Sequence, residues 1–240
     1  MAGYPSFNQL KPVAEDIWIV DAPPIHLGGV TLPVRMTVIR LGNGAIWLHS
    51  PTEPDPLLLR EIEALGPVRH LVAPSIGHWT FVETWQRLHP QAQVWAVPGL
   101  RERAQVRRSK LRIDHDLSVL APVDWREDIE QCPILTPLVF REVAFLHRKT
   151  STLLLTDLIS SIEPEGLATR IYASAAGVGF PVATTPRYLR PPLRLAGAGA
   201  RRAMEQLLAW RAERVIFAHG RWFEQEGAAM LRRALGWLIK

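Results

Sequence analysis

The sequence has only one cysteine, Cys132, among its 240 residues, and this scarcity excludes an intrachain disulfide bond. A thiol becomes reactive where a helix N-terminus or a nearby cation lowers its pKa. Cys132 directly precedes a proline, a context that offers no helix N-terminus. We therefore interpret it as a structural residue.

Long apolar segments are also missing. No run reaches the roughly 18 apolar residues that a membrane-spanning helix needs, and the opening residues, MAGYPSFNQLKP, do not have the basic and apolar parts of a secretory signal. We therefore expect a cytoplasmic protein with no membrane partner. No repeat with a fixed period is evident. With 48% hydrophobic and 21% charged residues, we expect one domain, residues 1–240, that buries a sizeable core.

Positive charge exceeds negative charge, with a formal net charge of +5 and a pI of about 9.9. Much of it lies in the stretch RERAQVRRSKLR, residues 101–112. Single-stranded nucleic acids are usually bound by basic grooves that also carry aromatic side chains for base stacking. This stretch has no aromatic residue, so we interpret it as a solvated helical face, and nucleic acid is a disfavoured partner.

The first part of the chain predicts β structure followed by a helix. The runs VRMTVIRL and AIWLHS flank Gly42-Asn43-Gly44, and Asn-Gly between two such runs is a strong hairpin signal. PDPLLLREIEALG has leucine and isoleucine at helical spacing, prolines at its start and Gly66 at its end. This helix should lead into a strand over residues 70–73.

Later segments continue the alternation of strands and helices. HWTFVETWQRLHP predicts a helix, and EVAFLHR with STLLLTDLI predicts a second hairpin. A helix at 200–210, a strand at 214–218 and a final helix at 228–238 complete the pattern. Residues 114–137 give mixed signals. Residues 160–199 are rich in Gly, Ala, Pro and Ser, which is typical of a mobile loop or of a flap that covers a site.

Three polar residues, His78, Asp157 and His219, each follow an apolar strand-like run. Side chains on loops at a sheet edge are well placed to converge, because the sheet fixes the backbone from which they project. Two imidazoles and one carboxylate suit Zn, Fe or Mn and leave coordination positions open. The alternative for each residue alone is ordinary: the aspartate caps a helix, and each histidine is a core or surface group.

The order of elements and several segments resemble the metallo-β-lactamase-like superfamily over nearly the whole chain. The segments are RMTVIRL, WLHSP, GHW, EVAFLHR, LLLTDLI and FAHG, and they are most similar to an uncharacterised domain-of-unknown-function group within it. The resemblance implies an α/β fold, a four-layer αββα sandwich. It also implies that Asp157 matches the metal-bridging aspartate, that His219 matches the last histidine ligand, and that His78 matches the final histidine of the main motif.

The main motif of that superfamily, His-x-His-x-Asp-His, is mostly absent. Alignment on His78 puts Ala73, Ser75 and Gly77 at the other three ligand positions. The middle histidine falls near Leu138 or Phe140, and His49 lies where the family usually has an aspartate. The resemblance then implies that the ligands of one metal are lost, whereas three of the four ligands of the other metal remain.

The first hypothesis is a hydrolase or oxygenase-like enzyme with one Zn, Fe or Mn ion and a bound water of lowered pKa. Glu142 is the candidate general base, or else a partner that orients a ligand; its alternative is a surface carboxylate paired with Arg141 or Arg148. The substrate is an unidentified small molecule. Five arginines near the Pro-rich stretch would favour an anionic compound if they faced the site: Arg187, Arg190, Arg194, Arg201 and Arg202.

The second hypothesis is a degenerate, non-catalytic member of the fold that binds a small molecule or a protein. In it the three residues hydrogen-bond one another. Trp79 and Trp222 lie close in sequence to the two candidate histidines and are expected to wall the same pocket, whereas Trp85 lies on a helix face and is expected in the core.

Overall fold

The computed structural model of the chain describes residues 5–137 and 140–239. The strands within these ranges are β1 (Lys11–Ala14), β2 (Ile17–Leu27), β3 (Val30–Arg40), β4 (Ile46–His49), β5 (Val68–Ala73), β6 (Gln93–Ala96), β7 (His115–Asp116), β8 (Ile129–Leu135), β9 (Arg141–His147), β10 (Thr152–Leu154), β11 (Ser160–Ser161), β12 (Arg214–Ile216) and β13 (His219–Gly220). The helices are α1 (Pro56–Leu65), α2 (Val82–Leu88), α3 (Ala104–Arg108), α4 (Gly166–Ala176), α5 (Arg190–Leu195), α6 (Ala198–Ala209) and α7 (Gly227–Ile239), with a 3-10 helix at Arg187–Leu189.

Two main sheets are formed by the two halves of the chain. The first has seven strands in the order β1 to β7, antiparallel up to β4 and parallel from β4 to β7. The second has four strands in the order β12-β10-β9-β8. Both predicted hairpins are confirmed, because β3 pairs with β4 and β9 pairs with β10 in antiparallel register. The stretch 114–137, which gave mixed signals, contributes β7 and β8.

The sheets pack face to face, with helices on the outside. One core cluster joins residues of the first sheet and of helices α1 and α2 to Val143 and Phe145 of β9. A second cluster packs the other face of the four-stranded sheet against α6 and α7. The expected α/β architecture, a four-layer αββα sandwich, is therefore confirmed, and Trp85 is fully buried as predicted.

Helix α1 begins and ends as its sequence predicts. The Asp55 carboxylate accepts hydrogen bonds from the backbone N–H groups of Leu57 and Leu58 at 2.9 and 3.3 Å, which satisfies donors that the helix itself leaves unpaired. At the other end, a Cβ atom on Gly66 would overlap the carbonyl oxygen of Gly44. Glycine at this position therefore allows the chain to turn closely past the β3–β4 hairpin into β5.

The Pro- and Gly-rich segment 160–199 contains β11, α4, the 3-10 helix and α5. Its residues Ser160, Ile162, Tyr172 and Tyr188 line the same cavity as the candidate metal ligands. Of the two interpretations of this segment, this arrangement supports a flap that covers the site rather than a mobile loop.

Two further expectations concern the thiol and the membrane. Cys132 is buried, and burial raises the pKa of its thiol to about 11, in keeping with a structural role. None of the helices described at residues 5–137 and 140–239 is both long and apolar enough to span a bilayer.

Two buried histidines should make the fold sensitive to mild acid. Burial lowers the pKa of His49 to about 3, helped by the charge of His78, and burial lowers the pKa of His70 to about 4. These groups bind protons near pH 6.5 in the unfolded chain but not in the native chain. The free energy of unfolding is therefore highest above pH 6.5 and falls as the pH decreases toward 4.

We therefore expect the free energy of unfolding to fall by about 2 kcal/mol for each of these histidines between pH 7.5 and 5. Urea unfolding at the two pH values measures the loss. In His70→Gln the loss in free energy of unfolding between pH 7.5 and 5 should be smaller by the contribution of one histidine. The loss is measured relative to the stability of the same variant at pH 7.5. An unchanged pH dependence in this variant would contradict the assignment.

Candidate metal centre

His78, Asp157 and His219 converge at one end of the sandwich. His78 lies in the turn between β5 and α2, Asp157 follows β10, and His219 begins β13. Asp157 Oδ1 lies 3.3 Å from the Nε2 atom of each histidine, and the two Nε2 atoms are 3.2 Å apart. The structure therefore brings the three distant side chains together as predicted. One potential metal-binding atom from each residue lies within 4.8 Å of those of the other two.

The backbone of β3 fixes the orientation of His219. Its Nδ1 lies 2.7 Å from the carbonyl oxygen of Pro33, which can only accept a hydrogen bond, so Nδ1 carries the proton. In the neutral ring the Nε2 lone pair is then directed at the other two residues. Ser50 Oγ lies 2.7 Å from Nδ1 of His78 and holds the ring of His78 in place.

The two carboxylate oxygens of Asp157 have different partners. Oδ1 faces both histidines, whereas Oδ2 accepts a hydrogen bond of 2.8 Å from the hydroxyl of Ser75. Ser75 is one of the positions where the resemblance leads one to expect a histidine, and it is fully buried. The carboxylate therefore offers one oxygen to the cluster and uses the other to anchor itself.

The electrostatics of the cluster favour a charged carboxylate. Burial opposes ionisation of Asp157, but the charge of His78 and the hydrogen bonds that the two imidazoles donate from Nε2 when they are protonated outweigh it and hold the pKa of the carboxyl well below its usual value. For His219, burial alone would lower the pKa, yet the hydrogen bond and charge of Asp157 raise it. The site thus has a negative charge that attracts a proton or a cation between the two imidazoles.

Glu142 is placed differently from a group that contacts substrate. It is fully buried, and its carboxylate accepts backbone hydrogen bonds from Thr156, Asp157 and Leu158 at 2.7, 2.8 and 2.9 Å. The surface alternative, a pair with Arg141 or Arg148, is wrong. The position does not suit the predicted general base; it suits the other predicted role, in which Glu142 orients the loop that carries Asp157.

A buried ion pair connects the His219 strand to the first sheet. Arg35 of β3 lies 2.6 Å from the carboxylate of Asp21 on β2, and both side chains are almost fully buried. The same guanidinium donates hydrogen bonds of 2.9 Å to the carbonyl oxygens of Phe217 and Gly220. The backbone on both sides of His219 is therefore held by one arginine.

Gly220 is needed for the pairing of β13 with β11. Its φ is 92°, and a Cβ atom there would overlap the carbonyl oxygen of Ser161.

We expect Gly220→Ala to lower the free energy of unfolding by about 1–3 kcal/mol and to displace His219 next to it. The matched control is Gly236→Ala on α7, where the new methyl group would meet no described atom within 4 Å apart from its chain neighbours and the backbone of its own helix. That change should stabilise the helix by about 0.5–1 kcal/mol. Equal stabilities of the two variants in urea unfolding would contradict the argument.

The three residues open into a cavity of about 210 Å³. Its walls are mostly apolar or aromatic and include Ile25, Leu32, Val34, Trp79, Phe81, Tyr172 and Tyr188. The expectation for Trp79 is confirmed, but Trp222 is not among the lining residues and instead packs against both core clusters. None of the five arginines considered from the sequence lines this cavity.

Several residues of the site were not found from the sequence. Ser50 and Ser75 form hydrogen bonds with the side chains of His78 and Asp157, respectively, and the hydroxyl groups of Tyr172 and Tyr188 lie 3.0 Å apart at the cavity wall. A serine directly after His49 carries no signal of this role. His49 itself is buried in the core, where its ring stacks on Trp47 with centroids 5.7 Å apart.

The two positions considered for the middle histidine add no donor to the site. Phe140 is buried in the core cluster beside α6 and α7. Leu138 lies outside the described residues.

Comparison with known proteins identifies the family. Residues 14–176 match the family described as "Domain of unknown function (DUF4336)". The chain belongs to the DUF4336 family. The match includes two of the three cluster residues of this DUF4336 protein, His78 and Asp157, and ends before His219. None of the curated proteins matches the sequence.

Solved structures show the fold of this DUF4336 protein. It is similar to a metallo-beta-lactamase from Pontibacter korlensis at 14% identity and a TM-score of 0.65, over 95% of this chain and 98% of that one. It is similar to the metal-soaked Flv1 flavodiiron core from Synechocystis sp. at 15% identity and a TM-score of 0.68, over 96% and 60%. The metallo-beta-lactamase FIM-1 from Pseudomonas aeruginosa in its mono-zinc form gives 15% identity and 0.58, over 95% and 94%. The fold is that of the metallo-β-lactamases.

Proposed function

We propose that this DUF4336 protein is a metal-dependent hydrolase of small molecules, in which a single Zn, Fe or Mn ion is held by His78, Asp157 and His219. The observation that carries the proposal is the meeting of two Nε2 atoms and one carboxylate oxygen within about 3.3 Å of one another. The donor set fits such an ion, because an anionic oxygen and two imidazole nitrogens are common ligands of Zn and Fe. The proton on Nδ1 of His219 leaves its Nε2 free to coordinate.

One ion suits the residues better than two. Oδ2 of Asp157 is engaged by Ser75, so a second ion would have to displace that hydrogen bond. Ala73 and Gly77, at two of the missing ligand positions, have no donor atom in their side chains. The Pseudomonas aeruginosa neighbour was solved in a mono-zinc form, so a similar fold is compatible with single occupancy.

When bound, the ion would supply a Lewis acid that lowers the pKa of water and polarises a carbonyl group. The chain's own residues supply the rest. Ser50 and Pro33 fix the imidazole rings, and Ser75 and Glu142 fix Asp157 in its side chain and backbone. Hydrogen bonds of this kind to ligands typically change metal affinity 10- to 100-fold when they are removed.

The cavity walls would orient the substrate. The apolar side chains exclude water around the reacting group, and the paired hydroxyl groups of Tyr172 and Tyr188 are available to hydrogen-bond a polar substituent. Apart from Asp157, no carboxylate is among the lining residues, so the described cavity wall offers no second carboxylic acid for proton transfer. A neutral, compact substrate such as an ester or lactone fits these walls.

A second candidate is a non-catalytic binding module. One observation favours it: the three side chains already form a closed hydrogen-bonded group, since Asp157 Oδ1 lies within 3.3 Å of both imidazoles. A proton shared between the rings would satisfy this arrangement without an ion, and the cavity would then take a small molecule alone.

Metal titration of the purified, metal-free protein separates the two candidates. We expect about one equivalent of Zn, Mn or Fe to bind, with a rise in melting temperature that grows with metal concentration. Hydrolysis of small neutral esters should appear in parallel with the bound ion. A melting temperature that does not respond to any of the three metals would favour the binding module, and two bound equivalents would refute the single-ion site.

A further inference from the structure

A second cavity lies beside the segment that carries Tyr188. It has a volume of about 490 Å³ and is lined by residues from the end of α4, from the Pro-rich segment and from α7, among them Arg187, Arg190 and Arg233. None of the candidate metal ligands lines it. It is therefore a separate cleft, although Arg187 is adjacent in sequence to a wall residue of the first cavity.

Three arginines line this cleft, of which Arg190 is half-buried and Arg187 and Arg233 are exposed, and no carboxylate is among its lining residues. Several other arginines have an acidic partner in the described ranges, such as Arg101 with Asp116 at 3.0 Å and Arg148 with Glu130 at 3.2 Å. Arg187, Arg190 and Arg233 form no ion pair within the part of the chain that the structure describes. Like charges gathered without a counter-charge repel one another, and an anion relieves that repulsion.

Arg190 is a fixed element of the cleft rather than a freely moving surface side chain. Its guanidinium donates to the carbonyl oxygen of Thr185 and to the hydroxyl of Thr184, both at 3.2 Å, and lies 5.3 Å from the ring centre of Trp237. Burial, together with the charges of Arg187 and Arg194, lowers the pKa of this guanidinium. Its remaining donors are therefore oriented in advance, which reduces the entropy lost on binding a ligand.

We propose that this cleft binds the oxyanion of a small phosphorylated molecule, with Arg187, Arg190 and Arg233 as its ligands. Guanidinium groups match phosphate oxygens because they present parallel N–H donors. Pro181, Val182, Ala183 and Met230 supply an apolar surface beside the three charges. A phosphate ester with a carbon skeleton fits both parts of the cleft, and the cleft is larger than a phosphate ion alone requires.

Inorganic phosphate is the probe for the charged part of the site, and a titration followed by ³¹P NMR measures its binding at fixed ionic strength. The test variant is Arg187→Gln/Arg233→Gln, which removes two exposed guanidinium groups and leaves the hydrogen-bonded Arg190 in place. The matched control is Arg107→Gln/Arg108→Gln on the exposed face of α3, which removes the same charge far from the cleft in sequence. We expect saturable binding by the unchanged protein, a loss of about tenfold or more in the test variant, and a change of less than about twofold in the control.

Two results would overturn the proposal: phosphate binding that never saturates, or an equal loss in both variants, which would assign it to overall charge. The variant Arg187→Lys/Arg233→Lys retains the charge but loses the paired N–H donors, so it should bind phosphate with intermediate affinity. It replaces the glutamine variant as the test if the glutamine variant does not fold. A titration with glucose 6-phosphate against glucose tests whether the phosphate group is required, and only the phosphorylated sugar should bind. Phenyl phosphate against inorganic phosphate tests the apolar part, and the ester should bind more tightly. Because metal is absent from all these samples, the outcome is independent of the proposed hydrolase activity.

Discussion

His219→Ala is expected to abolish stoichiometric binding of Zn, Mn or Fe. The variant loses one of three ligands, and the ring it removes is the one fixed by the Pro33 carbonyl oxygen. Removal of a residue that merely orients a ligand costs about 10- to 100-fold in metal affinity, so loss of a ligand itself should exceed 100-fold. Metal content after dialysis and the shift of melting temperature with added metal both measure the effect.

The control for this variant is His26→Ala, which removes an exposed histidine whose ring is hydrogen-bonded to Thr31. It should bind the ion as the unchanged protein does. His78→Ala should behave as His219→Ala does, although the two residues are 141 positions apart in the sequence. Retention of one tightly bound equivalent in either ligand variant would refute the proposed centre.

Glu142→Ala should lower the free energy of unfolding by about 3 kcal/mol or more. Its carboxylate is the acceptor for three buried backbone N–H groups, and each buried donor left without a partner costs about 1–3 kcal/mol. Because those groups belong to residues 156–158, the loop that carries Asp157 should shift, and metal affinity should fall by about 10- to 100-fold. Urea unfolding and metal titration measure the two effects.

Glu127→Ala is the matched control, since the side chain of Glu127 is 87% exposed; its stability should change by less than about 0.5 kcal/mol. The loss of stability in Glu142→Gln should lie between those of Glu142→Ala and Glu127→Ala. The amide oxygen can still accept a hydrogen bond, whereas the NH₂ group would face N–H donors that it cannot pair with. A loss below about 1 kcal/mol in Glu142→Ala, with unchanged metal affinity, would contradict the positioning role.

The sequence was most informative where one pattern controls both local structure and placement. The Asn-Gly turn and the capped helix α1 follow from local preferences. The apolar runs that end in His or Asp bring the cluster to one end of the sandwich, where strand ends from both main sheets and from the β11–β13 pair meet. Side-chain direction was harder to predict. Strand β9 is buried on both faces, so its residues do not alternate in a way that would have shown Glu142 pointing inward. Ser50 and Ser75 are small polar residues that occur in many loops, and only the folded chain shows which atoms they contact.

The contacts that orient His219 join opposite ends of the polypeptide. Pro33 and His219 are 186 positions apart, and Arg35 and Phe217 are 182 apart. Contacts with such large sequence separation are slow to form, because much of the intervening chain must be ordered before they can be made. The triad should therefore be among the last parts of the molecule to assemble during refolding, and uptake of an ion by all three ligands would report that β3 has docked against the segment that carries His219.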